Sequence, residues 1–121
     1  MKSRFIVHRH KTGRTHFDLR VLEDEVYRSW SLLQEPPKWS GQRRLAIERE
    51  SFSADALRRA SLDEQAFGPG GVYVWDEGEV EITHVSDKHL LLDFQGARLA
   101  GRYRMRRMSW YPGNHWLIEK G

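Results

Sequence analysis

The chain has 121 residues, no cysteine and a net charge of +3 at pH 7. That length fits one domain spanning 1–121, whose core needs no disulfide or metal staple, so a metal site would be functional first; the lack of cysteine excludes disulfides, thiolate zinc sites and cysteine nucleophiles together. No stretch approaches the roughly 18 apolar residues of a membrane helix and "MKSRFIVHRH" is no leader, so the chain reads as a soluble cytoplasmic monomer with no membrane association.

The small net charge is a weak argument for nucleic acid, but fifteen of the twenty basic residues are arginine. The arginine fork matches a phosphate bidentately where lysine is a point charge; arginine richness also follows from genome base composition. The five Trp and four Tyr suit base stacking, yet in so small a chain most must be core.

In chain order, the dominant period is two. Phe5 and Val7, then Phe17, Leu19 and Val21, alternate with polar residues, and strands follow at 26–33 and 44–49. Residues 53–65, "SADALRRASLDEQ", carry a Ser or Asp cap and apolar positions at Leu57, Ala60 and Leu62, which predicts one short helix. Val72 and Val74 then alternate with Tyr73 and Trp75, and Val80 and Ile82 with Glu81 and Thr83. A turn at "DEG" separates these two runs. Strands at 89–94, 98–106 and 115–119 complete the pattern, with further turn signals at "TG" 12, "LED" 22, "EPP" 35, "GPGG" 68, "SDK" 86, "QG" 95 and "PGN" 112. About eight short strands, one helix and no helix-strand alternation predict a mainly β fold, a compact antiparallel barrel or sandwich.

The densest chemistry lies in "FIVHRHKTGRTHFDLRV", residues 5–21, with three of the six histidines, an aspartate and three arginines. On a strand, His16, Asp18 and Arg20 share one face, backed by Phe17, Leu19 and Val21, and Ile6, His8 and His10 share a face of the preceding strand. For His10 to meet His16 the register must pair them, which requires an odd loop such as "TGR" with Gly13 at positive φ; a two-residue loop puts the histidines on opposite faces. Two imidazoles and one carboxylate suit manganese, zinc or iron with open coordination positions, and Arg14 and Arg20 adjoin to hold a phosphate. The same spacing also describes a polar hairpin face whose His and Asp are merely hydrogen-bonded, and spacing alone favours that plainer reading.

The stretch resembles the signature of the 3'-phosphoesterase domain of bacterial DNA ligase D and its free-standing relatives: a hydrophobic strand, a His, five residues, then His-x-Asp-x-Arg, here His10, His16, Asp18 and Arg20. The likeness continues through "VYRSWSLL", "RRLAIERE", "FGPGGVYVWDEGEVE", "ARLAGRYRMRRM" and "NHWLIEK", almost the whole chain in order. It implies a compact β-barrel with a polar cavity and a manganese-dependent activity on 3' ends of DNA or RNA-DNA that removes a 3'-phosphate or a terminal ribonucleotide. A ligase or polymerase of end joining is the implied protein partner. Position by position, it implies His10, His16 and Asp18 as ligands of Mn2+, with Zn2+ as an alternative, and Arg20 as a phosphate contact supported by Arg14 and Arg44, with Glu50 at an acidic position of the family.

The chain departs from that pattern in three places. The family's His-Pro-x-x-Tyr, whose His and Tyr reach the scissile phosphate, is replaced here by Phe52 and Ala56, and a lysine after the Ser-Trp strand by Gln34. General acid catalysis contributes about 10²–10⁴-fold, so the alternative is a catalytically weak or inactive module that binds nucleic-acid ends; a structural domain with an empty site is a third reading. Elsewhere, His8 reads as a cavity-edge histidine bonded to a carboxylate, Trp30 and Trp75 as core, and Trp39 as packing over a barrel end. Arg102, Arg104 and Arg106 share one side of a strand, where they either track a nucleic-acid backbone or guard a sheet edge.

Overall fold

The computed structural model describes residues 1–11, 14–55, 72–109 and 113–121. Its regular elements are eight strands, β1 (Lys2–His10), β2 (His16–Glu23), β3 (Val26–Leu32), β4 (Arg43–Ser53), β5 (Val72–Ser86), β6 (His89–Gln95), β7 (Ala100–Arg107) and β8 (His115–Lys120). Every pairing is antiparallel and the sheet closes in the order β1-β2-β3-β4-β8-β7-β6-β5, with β5 returning to β1. Closure answers the edge problem of a small sheet, because no strand is left with an unpaired ladder. The expected barrel is therefore the observed one. Beyond Ser53, Ala54 and Asp55, the helix expected over 53–65 lies outside the described residues, as do Gly13 and the "GPGG" turn. No helix among the described residues is long and apolar enough to cross a membrane.

Period-two alternation sends one side chain in two to the lumen. All eight strands contribute, among them Val7, Leu19, Trp30, Ala46, Val80, Leu92, Met105 and Ile118. The rings interlock edge to face, Phe5 on Phe94 at 4.8 Å and Trp30 on Trp116 at 5.8 Å between centroids. Such pairs contribute beyond their buried area. The barrel is thus filled, and any polar cavity has to lie on its outer wall. Trp30 and Trp75 are buried as expected, but Trp39 is 66% exposed on the β3–β4 connection and does not close the barrel end.

One strand overturns the sequence reading. The two runs at 72–75 and 80–83 are a single strand, β5, and "DEG" is not a turn. A bulge precedes it, and its Asp76 and Gly78 have other tasks. A register shift against β1, where Val7 faces Asp76 and His8 faces Val74, absorbs Trp75 as an extra residue, so Trp75 is buried and Val74 exposed. Such a bulge bends a strand without ending it. The buried Asp76 carboxylate accepts the backbone N–H groups of Ala97, Arg98 and Leu99 at 3.1, 2.9 and 2.7 Å, fixing the β6–β7 turn. Gly78 lies where a Cβ would meet the Gln95 carbonyl oxygen at 2.5 Å, so this glycine marks close backbone approach rather than chain reversal.

Two polar features are built into the core. Arg28 bonds Glu48 through Nε and a terminal nitrogen and also reaches Glu23, its guanidinium lying over Trp30 and Trp116, while Trp116 Nε1 donates to the second Glu48 oxygen. Tyr103 donates its hydroxyl to the Pro37 carbonyl at 2.5 Å, tying the β3–β4 connection to β7. Burial pushes the Tyr103 pKa up to about 12 from 10.0. A raised folded-state pKa means that the stabilisation is complete below about pH 10 and lost as pH rises toward 12. Tyr103→Phe should cost about 1–2 kcal/mol at pH 7 and flatten the loss of stability over that alkaline window, both read by denaturant unfolding.

Candidate metal centre and groove

The β1–β2 hairpin builds the site. Its register pairs Ile6 with Arg20, His8 with Asp18 and His10 with His16. This is the odd-loop register that the metal reading requires, and it stands the polar residues on one face of the hairpin. Phe5, Val7, Phe17, Leu19 and Val21 fill the lumen behind them. On the same outer face β3 sets Ser31 against Asp18 and Ser29 against Arg20, and β4 sets Arg49 against Ser29. A row of polar side chains therefore crosses four strands.

Although these groups are on the outer wall, most are buried: His8, His10, Asp18, Arg20 and Ser29 all keep under a tenth of their surface. Phe52, near the end of β4, lays its ring over the Arg20 guanidinium at 4.7 Å. Beside it runs a groove of about 330 Å³ whose walls include His16, Asp18, Ser31, Leu33, Arg49 and Phe52.

His10 Nε2 lies 2.8 Å and His16 Nε2 3.6 Å from Asp18 Oδ2. The two imidazoles stack, 4.5 Å between centroids and 12° apart. One donor atom from each of His10, His16 and Asp18 falls within 4.8 Å of the others. Ligands about 2.1 Å from a tetrahedral ion lie about 3.4 Å from one another, so the three donors suit a divalent cation with only small side-chain adjustments. Two imidazole nitrogens and a carboxylate oxygen are also the right donor types for zinc or manganese. Burial pushes the Asp18 pKa up, but hydrogen bonds from His10 and Ser31 and the charge of Arg20 outweigh it and hold the carboxyl at about 2, in its ionised form.

The surrounding bonds orient that carboxylate. Ser31 donates its hydroxyl to Asp18 Oδ1 at 2.7 Å, leaving Oδ2 to the histidines. Arg20 spreads its fork over three acceptors: Nε to His8 Nδ1 at 3.2 Å, one terminal nitrogen to Ser29 Oγ at 2.8 Å, the other to Asp18 Oδ2 at 3.4 Å. Burial, followed by the charge of Arg20, lowers the His8 pKa to about 4, so His8 is the neutral acceptor of that bond. His8 Nδ1 is thus tied to Arg20. Outer partners of this kind fix a ligand's orientation at a metal site.

The other expected site residues are placed differently. Arg14 is exposed on the β1–β2 connection. Arg44 faces Ile118, in the core-side register, and bonds the carbonyl oxygens of Glu35 at 2.9 Å and Arg43 at 3.1 Å. Glu50 is exposed on β4 and is not a wall of the groove. The structure therefore brings His10, His16, Asp18 and Arg20 together and does not bring Arg44 or Glu50 to them. Ser29, Ser31 and Arg49 were missed. Strand parity with the β2–β3 register reveals the two serines, but Arg49 depends on the β3–β4 pairing, whose shift between Tyr27 and Ser29 carries no sequence signal.

Comparison with known proteins identifies the family. Residues 8–107 match the family model of the DNA ligase D 3'-phosphoesterase domain. The chain is 26% identical over 121 residues to the multifunctional non-homologous end joining DNA repair protein LigD of Mycobacterium tuberculosis, covering 96% of this chain and 16% of that protein. It is 30% identical over 114 residues to the multifunctional non-homologous end joining protein LigD of Pseudomonas aeruginosa, covering 88% of this chain and 13% of that one. The chain spans about a sixth of the length of the curated relatives it matches. With the model aligned over most of the barrel, the chain belongs to the DNA ligase D 3'-phosphoesterase domain family.

Proposed function

We propose that this chain is a divalent-metal-dependent phosphoesterase acting on the 3' ends of DNA or RNA-DNA in end-joining repair, removing a 3'-phosphate or a terminal ribonucleotide. The observation that carries the reading is the convergence of His10, His16 and Asp18, the last two of which also line an open groove. In it these three residues hold Mn2+, or Zn2+ as the alternative ion. Bound there, such an ion polarises a phosphoryl oxygen or supplies a hydroxide nucleophile. The chain's own residues do the rest. Ser31 and Arg20 keep Asp18 aimed at the donor point, Arg20 locks His8 as a neutral acceptor, and the open groove admits a chain terminus. Arg20 thereby acts chiefly as a positioning residue, because its nitrogens already serve protein acceptors and its face is covered by Phe52.

A second reading is favoured by one specific observation. Phe52, at the family's histidine position, has no proton to donate to a leaving oxygen and is seated on Arg20. An end-binding module with little turnover follows from the same geometry. Ala56, at the family's tyrosine position, lies outside the described residues.

Phosphate release from a primer-template ending in a 3'-phosphate, measured with Mn2+, separates the two. The phosphoesterase reading expects slow metal-dependent release, which Phe52→His raises about 10²-fold, the lower end of general acid catalysis. Tight end binding with no release from either protein selects the binding module.

A further inference from the structure

The groove carries two arginines with opposite commitments. Arg20 is 4% exposed and directed to His8, Ser29 and Asp18. Arg49 is exposed, and its described contact is a long bond of 3.4 Å from Nε to Ser31 Oγ. The two terminal nitrogens of Arg49 have no hydrogen bond or ion pair to any described residue. The same Ser31 hydroxyl donates to Asp18 Oδ1, so Arg49 stands one hydroxyl away from the candidate ion. Among the described residues of the groove walls Asp18 is the sole carboxylate, and it is already matched by Arg20. Among the described residues, what remains uncompensated in this groove is the fork of Arg49.

We infer that Arg49 is the specificity-determining residue of this groove, its guanidinium gripping a terminal phosphomonoester in preference to a hydroxyl end or an internal phosphodiester. The inference deepens the reading given under Proposed function and rests on it for the identity of the substrate. Its chemistry is that of the fork. Two parallel N–H groups match two phosphate oxygens, and a terminal phosphate near neutral pH carries close to two charges and three free oxygens, where a diester has one charge and two. A guanidinium with both terminal nitrogens open therefore gains most from the monoester. Leu33 and Phe52, 49% and 37% exposed, give the groove apolar walls for the sugar and base that bear it.

The test is titration of the full chain with one oligonucleotide duplex bearing either a 3'-phosphate or a 3'-hydroxyl, and with inorganic phosphate, each with and without Mn2+. For Arg49→Gln we expect affinity for the 3'-phosphate end to fall on the order of tenfold, the lower range for hydrogen bonds to a charged group. Affinity for the 3'-hydroxyl end should stay within about twofold, and Arg49→Lys should recover only part of the loss because lysine lacks the fork. Thermal melting should not move, since the side chain is exposed and loosely held. Equal loss for both ends would make Arg49 a nonspecific backbone contact, and unchanged 3'-phosphate affinity would remove it from the site; either result overturns the inference. Mn2+ titration is the separate arm. If the ion fails to bind while Arg49→Gln still selectively weakens 3'-phosphate binding in the metal-free titration, the metal reading fails and the Arg49 assignment stands.

Discussion

Asp18→Asn is expected to lower Mn2+ affinity by about a hundredfold or more while leaving the barrel folded. The substitution keeps the shape of the side chain and an oxygen that accepts the Ser31 hydroxyl, but it removes the anionic oxygen that lies 2.8 Å from His10 and 3.6 Å from His16. Losing an outer partner of a ligand typically costs 10–100-fold in metal affinity, and losing the ligand itself exceeds that. His10→Ala and His16→Ala should give losses in the same direction. Isothermal titration with MnCl2 reads the affinity, and circular dichroism checks the fold. Unchanged affinity in Asp18→Asn would reject the ligand assignment outright.

Arg20→Ala should have the largest effect on stability, about 3–5 kcal/mol. Arg20 and Asp18 are both buried, and removing one member of such a pair leaves the other uncompensated. In this case the loss also takes the donor from His8 Nδ1 and the partner from Ser29 Oγ. The covering ring of Phe52 loses its support as well. A bound cation would replace part of the missing positive charge beside Asp18, so Mn2+ should stabilise this variant. Occupancy at a hundred times the dissociation constant is worth about 2.7 kcal/mol for either protein. Denaturant unfolding with and without Mn2+ measures both effects. A cost below 1 kcal/mol would show that Arg20 is not the structural tie described above.

The strands were legible because a half-buried strand writes its period into the sequence. Phe17, Leu19 and Val21 against His16, Asp18 and Arg20 needed no further information, and the same alternation placed both the core and the polar face of β2. The condition for the histidines to meet was also readable as an odd loop between the arms of the hairpin. What was not legible depends on register between distant strands. β5 was divided at "DEG" because acidic and glycine residues signal a turn locally. The competing demands, a carboxylate for the β6–β7 turn and a glycine under Gln95, come from strands β6 and β7.

The site residues follow the same division. Resemblance to the family carried His10, His16 and Asp18, which the hairpin register brings together, and it also carried Arg44 and Glu50, which this chain places elsewhere. Arg44 follows the core-side parity of β4, opposite Ile118, and its guanidinium is taken by backbone carbonyls. Arg49, absent from the motif, reaches the groove because β3 and β4 pair Ser29 with it. Position in a motif and position in a barrel diverge where a strand shifts register, as β4 does before Phe52.

The most direct test of the central claim is an anomalous diffraction map from a crystal of this protein soaked in Mn2+. One strong peak about 2.2 Å from a nitrogen of His10, a nitrogen of His16 and an oxygen of Asp18 is the expected result, the distance being typical of such ligands. A saturating soak that leaves this point empty, or that places the ion against other residues, would contradict it.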